Sequence, residues 1–186
     1  MVVAEFVDQP IDVLGGDARP DLGGGSELVG INTSHPNALA GEAIAAGAIP
    51  ELTGYASLRR EVKYGKNSRV DFLLEDPSRP PCYVEVKNVH LMRKPRVAEF
   101  PDCVTDRGAK HMEELAAAIG SGARAVVLFV IQIASADRFA VARDIDPAFT
   151  AAFDVARGQG VQMLAWRCNV NLNGIEIAAP VPIIDE

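Results

Sequence analysis

The 186-residue chain reads as an α/β domain, a mixed central sheet flanked by helices. Three observations carry that reading. The first half alternates apolar and polar residues over short runs bounded by turn chemistry, as hairpin strands do. The second half holds a nearly unbroken apolar run, Ala125–Gln132, the pattern of a strand covered on both faces, and Val161–Cys168 reads as a second buried strand. Helical segments with proline at their first position lie among these strands, so strand–helix–strand units follow a hairpin region.

Taken in order, residues 8–27 carry Gly-Gly, Arg-Pro and Gly-Gly-Gly and read as a loop or loosely ordered lead. Leu28–Asn32 fits a short strand. Pro36 opens a helix that stops at Gly47 and Pro50, because proline at the first helical position loses no hydrogen bond. Leu58–Tyr64 alternates as a strand, Gly65–Asn67 turns, and Ser68–Glu75 follows as the next strand. Asp76–Pro81 is turn chemistry leading into a strand over Cys82–Val89. Leu91–Phe100 reads as an irregular basic stretch. Thr105 is placed to cap a helix running to Gly120 and Gly122, and Asp146 with Pro147 starts another that ends near Gly158 and Gly160. Gly174–Ile184 offers one or two short strands. There are no internal repeats.

Composition excludes several classes. No run approaches the ~20 apolar residues that cross a bilayer, and the N-terminus lacks the basic and apolar blocks of a signal peptide. Cys82, Cys103 and Cys168 are odd in number and widely spaced, with no C-x-x-C pair, and are read as small core residues of a reduced, cytoplasmic protein. Neither Gly-rich phosphate loops nor a Gly-x-Ser-x-Gly elbow occurs, which removes NTPase, dehydrogenase and serine-hydrolase readings. The net charge is −7, but its distribution is uneven. From Arg59 to Lys110 there are 12 Lys/Arg against 8 Asp/Glu, whereas the remainder holds 6 against 17. That basic segment suits a phosphate backbone; ordinary solvated strand edges are the alternative.

Inside it sits the chemistry. Side chains alternate along a strand, so Glu85 and Lys87 share one face of Cys82–Val89, opposite Val84 and Val86. Pairing with Ser68–Glu75 as a hairpin brings Asp71 towards Glu85. Two carboxylates and an ammonium then converge where a hard divalent cation and a phosphate or water fit. A structural Glu85–Lys87 ion pair, with Asp71 as a turn cap, is the alternative. Two neighbouring carboxylates repel, so one should carry a raised pKa, and Glu85→Gln is expected to leave stability unchanged or higher.

Asp71 followed by Glu85-x-Lys87 on adjacent strands resembles the PD-(D/E)xK core of restriction-endonuclease-like domains. More specifically, the chain resembles the sugar fermentation stimulation protein A (SfsA) family, through Gly30–Asn37, Leu58–Gly65, Ser68–Leu74, Cys82–Val89, Phe100–His111, Leu128–Gln132, Ala136–Phe139 and Asp144–Pro147. The resemblance runs from about residue 28 to the C-terminus and implies a restriction-endonuclease-like domain over 28–186. It also implies a preceding OB-like domain. Residues 1–27 are too short for one and are read as an irregular lead or the remnant of a missing N-terminal domain.

The resemblance further implies a nucleic-acid-binding protein, with DNA the expected partner and no membrane. A phosphodiesterase site using Mg²⁺ or Mn²⁺ would have Asp71, Glu85 and Lys87 as catalytic residues. Asp71 and Glu85 would hold the metal, joined by Glu42 from the helix after Pro36. The alternative is a non-catalytic DNA-binding regulator of sugar-metabolism genes. Arg59, Arg60, Arg93, Lys94, Arg96, Arg107, Lys110 and His111 are the candidate phosphate contacts, the last three by sharing a helical face. A solvated polar helix face, and a solvent-facing Glu42, are the bland readings. Gln132, ending a buried strand, is a further candidate to hold a water or phosphate.

Overall fold

The computed structural model describes residues 35–65, 68–171 and 174–185, and for Asp106 only its place in a helix. The elements are α1 (His35–Ala45), β1 (Ser57–Tyr64), β2 (Ser68–Asp76), β3 (Arg79–Val89), β4 (Leu91–Lys94), β5 (Val97–Phe100) and α2 (Asp106–Gly120). There follow β6 (Arg124–Ile131), β7 (Arg138–Val141), α3 (Pro147–Gly158), β8 (Gln162–Asn171), β9 (Gly174–Pro180) and β10 (Ile183–Ile184). The expected strand at Leu28–Asn32 lies outside the described residues, as does the lead before it.

Six strands form the main sheet in the order β1-β2-β3-β6-β8-β9, and β10-β7-β5-β4 form a smaller one. β3, β6 and β8 run parallel, while β1, β2 and β9 pair antiparallel at the flanks, so the sheet is mixed as expected. Parallel strands need crossovers, and α2 and α3 supply them. One face packs Val127, Phe129 and Ile131 of β6 against Met112 and Leu115 of α2, Phe149 and Phe153 of α3, and Phe139 of the small sheet. The other packs Val126, Leu128 and Val130 against Ala40, Ala43 and Ile44 of α1, together with Phe72, Val84 and Val86. With both faces covered, β6 has no polar side, hence its unbroken apolar sequence.

The structure corrects three local readings. Leu91–Phe100 is not irregular: β4 and β5 form a hairpin there, and β5 pairs in parallel with β7, a four-residue strand that the sequence pattern did not announce. Pro80 and Pro81 belong to β3 rather than to the turn. Pairing with β6 begins only at Cys82, so the start of β3 has a partner on one side and tolerates residues without an N–H. Cys103 is exposed, unlike buried Cys82 and Cys168. Among the described residues no helix is long and apolar enough to cross a membrane.

One carboxylate organises the helices beside the site. Asp146, 1% exposed, accepts the Phe149 N–H through Oδ1 at 2.9 Å, capping α3, and the Thr105 N–H through Oδ2 at 2.9 Å, just ahead of α2. Those two N–H groups hold its pKa below the ordinary Asp range. Thr105 occupies the N-cap position of α2 as expected, yet its side chain makes no capping bond.

Candidate functional site

β2 and β3 pair as far as Phe72 and Val84 and then part. One step further, that register would set Asp71 opposite Glu85. Instead the Asp71 carboxylate occupies the gap: Oδ2 accepts the Val86 N–H at 2.7 Å, replacing a strand partner, and Oδ1 accepts the Asn37 amide of α1 at 2.7 Å. Burial raises the Asp71 pKa first and the nearby Glu85 charge raises it further, against the lowering effect of those hydrogen bonds. The expected asymmetry between the two acids is present.

Glu85 is 3% exposed. Its Oε1 accepts from Lys87 Nζ at 2.9 Å and from His111 Nδ1 of α2. Burial pushes its pKa up, but the His111 hydrogen bond and the Lys87 ammonium outweigh that and hold it below the ordinary Glu range. Its other oxygen, Oε2, is buried and has no partner among the described residues, and the same is true of Tyr64 Oη and Glu114 Oε2. Tyr64, stacked on Tyr83 at 5.4 Å, has its pKa raised by burial and then by Glu85, Glu114 and Asp71. These groups therefore form one electrostatically linked cluster on the α2 side of the sheet.

Asp71, Glu85, Lys87 and His111 are thus brought together, the last turned inwards rather than to solvent. Glu42 does not join them. It is exposed on α1, and five residues along a helix turn the side chain roughly 140° away from Asn37, the α1 residue that does reach Asp71. Among the described residues no three His, Cys, Asp or Glu are disposed to hold a metal ion together. Gln132 is fully buried and donates to Asn88 Oδ1 at 2.7 Å, on the face opposite Glu85.

The basic residues divide. Arg93 is locked, giving Nε and Nη2 to Glu99 at 2.9 and 2.7 Å and Nη1 and Nη2 to Asp144 at 2.6 and 2.8 Å. Arg96 binds Asp137 at 2.7 Å, Arg59 binds Glu75 at 3.3 Å, and Lys110 approaches Glu114 at 3.9 Å. Arg60 lies over the Phe72 ring at 5.2 Å, its guanidinium against Gly41, where any Cβ would collide with it. Lys94 is exposed on β4. Arg107 is exposed and, among the described residues, makes one hydrogen bond, Nε to His111 Nε2 at 3.3 Å. Lys63 and Arg69, not singled out from sequence, stand exposed and directly opposite each other on β1 and β2, on the face that carries Asp71.

Residues 34–174 match the family described as "Sugar fermentation stimulation protein RE domain". The chain belongs to the SfsA family. Proteins named sugar fermentation stimulation protein homolog are 60% identical over 164 residues in Azorhizobium caulinodans, covering 88% of this chain and 69% of that one. In Rhodospirillum centenum the identity is 60% over 150 residues, covering 81% and 64%. In Brucella ovis it is 53% over 158 residues, covering 85% and 66%. The chain therefore spans about two thirds of the length of these SfsA relatives. The structure of Pyrococcus furiosus SfsA in complex with Ca²⁺ superposes with a TM-score of 0.77 at 26% identity, covering 85% of this chain and 68% of that one.

Asn37, Tyr64 and Glu114 were missed in the sequence. Asn37 lies in the first turn of α1, where asparagine is ordinary, so only its tertiary contact with Asp71 reveals it.

Proposed function

We propose that this SfsA-family chain is a nucleic-acid-binding domain, with DNA its expected partner, built on a PD-(D/E)xK nuclease-like core whose site hydrolyses phosphodiesters with a divalent cation. One observation carries the reading. Glu85 is buried and held ionised, its protein donors converge on Oε1, and Oε2 has no partner among the described residues. A buried, unpartnered carboxylate oxygen is costly unless something binds it.

The donor set fits a hard cation. Asp71 and Glu85 offer oxygens only, and the Val86 carbonyl faces the same side as the N–H that Asp71 binds, into the gap left by β2. With two carboxylates and no third acidic or imidazole ligand among the described residues, the set suits an ion that keeps several waters, as Mg²⁺ and Mn²⁺ do. The Ca²⁺ in the Pyrococcus furiosus relative supports a divalent ion in this fold. When bound, such an ion lowers the pKa of a coordinated water and offsets phosphate charge. The chain's own groups do the rest. Asn37 and the Val86 N–H fix Asp71, and Lys87 orients the attacking water and compensates the negative charge that builds on the phosphate.

The test is incubation of duplex DNA, single-stranded DNA and RNA with the protein and Mg²⁺ or Mn²⁺, with Lys87→Ala alongside. Cleavage abolished by chelator and by Lys87→Ala is the expected result. Salt-dependent binding with no cleavage of any substrate would favour the non-catalytic DNA-binding regulator instead.

A further inference from the structure

The hydrogen bonds around His111 assign its proton. Arg107 can only donate, so its Nε–H, 3.3 Å from His111 Nε2, requires the lone pair of that nitrogen. The ring proton therefore sits on Nδ1 and points at Glu85 Oε1. The 3.4 Å approach of Lys87 Nζ to Nδ1 is then a close passage of two donors, both directed at the same carboxylate oxygen. His111 is 5% exposed and sits on α2 one turn after Arg107, so a single imidazole is braced between a buried carboxylate and a surface guanidinium.

We infer that His111 is a positioning residue that assembles two half-sites at once. Through Nδ1–H it pins Glu85 by Oε1 and leaves Oε2 turned out for a divalent cation. Through Nε2 it holds Arg107 by Nε, so that the two terminal nitrogens present a fork for a phosphate oxygen pair next to that cation. This inference rests on the cation site proposed above and adds the element that couples it to phosphate.

The physical case has three parts. A guanidinium bound at Nε keeps its remaining N–H fork planar and aimed, which is the geometry that takes phosphate bidentately. None of those terminal N–H groups has a partner among the described residues, in contrast to Arg93 and Arg96, which are already spent on carboxylates. Removing the partner that orients a ligating group typically costs 10–100-fold in metal affinity, so the imidazole should matter to the cation without touching it. Since one ring serves both groups, binding at one half-site should favour the other, and that coupling is reciprocal.

Side-chain chemistry allows the two roles to be separated. The amide of asparagine at position 111 falls where Nδ1 lies, so it can still donate to Glu85 but cannot reach Arg107. The amide of glutamine falls where Nε2 lies, so it can still accept from Arg107 but leaves Glu85 held by Lys87 alone. The experiment is calorimetric titration of wild type, His111→Asn, His111→Gln and His111→Leu with Ca²⁺, followed by titration of each Ca²⁺-saturated protein with a short DNA duplex. Circular dichroism of each variant reports its fold. His111→Asn should keep Ca²⁺ affinity within about threefold of wild type and lose about tenfold in duplex affinity. His111→Gln should show the reverse, and His111→Leu should lose both.

Equal losses in the Asn and Gln variants, with wild type binding Ca²⁺ normally, would make His111 a merely structural residue and overturn the inference while leaving the cation site intact. Unchanged Ca²⁺ and duplex affinities in His111→Leu would overturn it in the same way. Wild type that binds no Ca²⁺ would overturn the cation site and this inference together.

Discussion

Replacing Glu85 by glutamine tests the site most directly, and the structure reverses what the sequence led us to expect. Repulsion from Asp71 alone predicts a neutral or stabilising change. In the fold, however, Glu85 Oε1 receives both Lys87 and His111, and Lys87 is only 12% exposed. Glutamine preserves the shape and one acceptor oxygen, so the His111 bond becomes a neutral one, while the Lys87 bond keeps its cationic donor but loses the ion pair. Charged hydrogen bonds are worth about 1 kcal/mol more than neutral ones, which is the loss at the His111 bond. Relief of the Asp71 repulsion returns part of a further cost, that of leaving an ammonium without its counter-charge. The net expectation is a loss of about 2 kcal/mol, or about 4–8 °C in melting temperature for a chain of this size. Wild type should gain about 2.7 kcal/mol at a hundredfold excess of cation over Kd. Glu85→Gln should gain nothing. Thermal unfolding with and without Ca²⁺ or Mn²⁺ reads both effects. A variant that melts at or above wild type, or that still rises with cation, would refute the reasoning.

Asp71→Asn should behave differently. Its amide can accept the Val86 N–H and, with Asn37 turned over, donate to that side chain, so both hydrogen bonds survive. Because the Asp71 pKa is raised, its stabilising contribution exists below the ordinary Asp range and is lost as pH rises through the folded value. The substitution removes that penalty at neutral pH, so unfolding free energy should stay within about 1 kcal/mol of wild type while the cation response disappears. Arg93→Ala should cost about 2–3 kcal/mol in urea unfolding, since Glu99 is left buried without its partner and Arg93 is itself partly exposed. Glu99 and Asp144, the latter held at about 2, have lowered pKa values, so their stabilisation is present above the ordinary carboxylate range and lost as pH falls through those values. The acid limb of stability should therefore be flatter in Arg93→Ala. On duplex DNA, reversing Lys63 and Arg69 to Glu should reduce the salt slope by about 0.9 for each phosphate no longer neutralised, whereas Arg96→Glu should do little because Arg96 is already bound to Asp137.

What could be read in the sequence was what is decided locally. β6 announces itself because both its faces are covered, and α3 because Asp146 and Pro147 set its start chemically. The Glu85/Lys87 face follows from strand alternation alone. The failures share a cause in distance along the chain. β5 is a strand because β7 lies beside it some forty residues later, and four residues of β7 carry no periodicity of their own. Arg93 looked free because Asp144, its second partner, is 51 residues away. Helix phase explains the rest. Residues 107, 110 and 111 do share a broad face, but the packing of α2 turns His111 to Glu85 and sets Lys110 against Glu114. On α1 it presents Asn37, not Glu42, to Asp71.

The carboxylate of Asp146 gives the site a remote anchor. α2 carries Arg107 and His111, yet the first backbone group ahead of it is fastened to the cap of a different helix, 41 residues downstream. The position of the imidazole is thus set by a joint that holds α2 and α3 in step. Slack in that joint would move His111 relative to a carboxylate fixed in the sheet, and tenths of an ångström suffice to misalign a preorganised ligand. Substitutions at residue 146 should then behave as long-range modulators of the site, altering cation and phosphate binding from a place that neither ligand reaches.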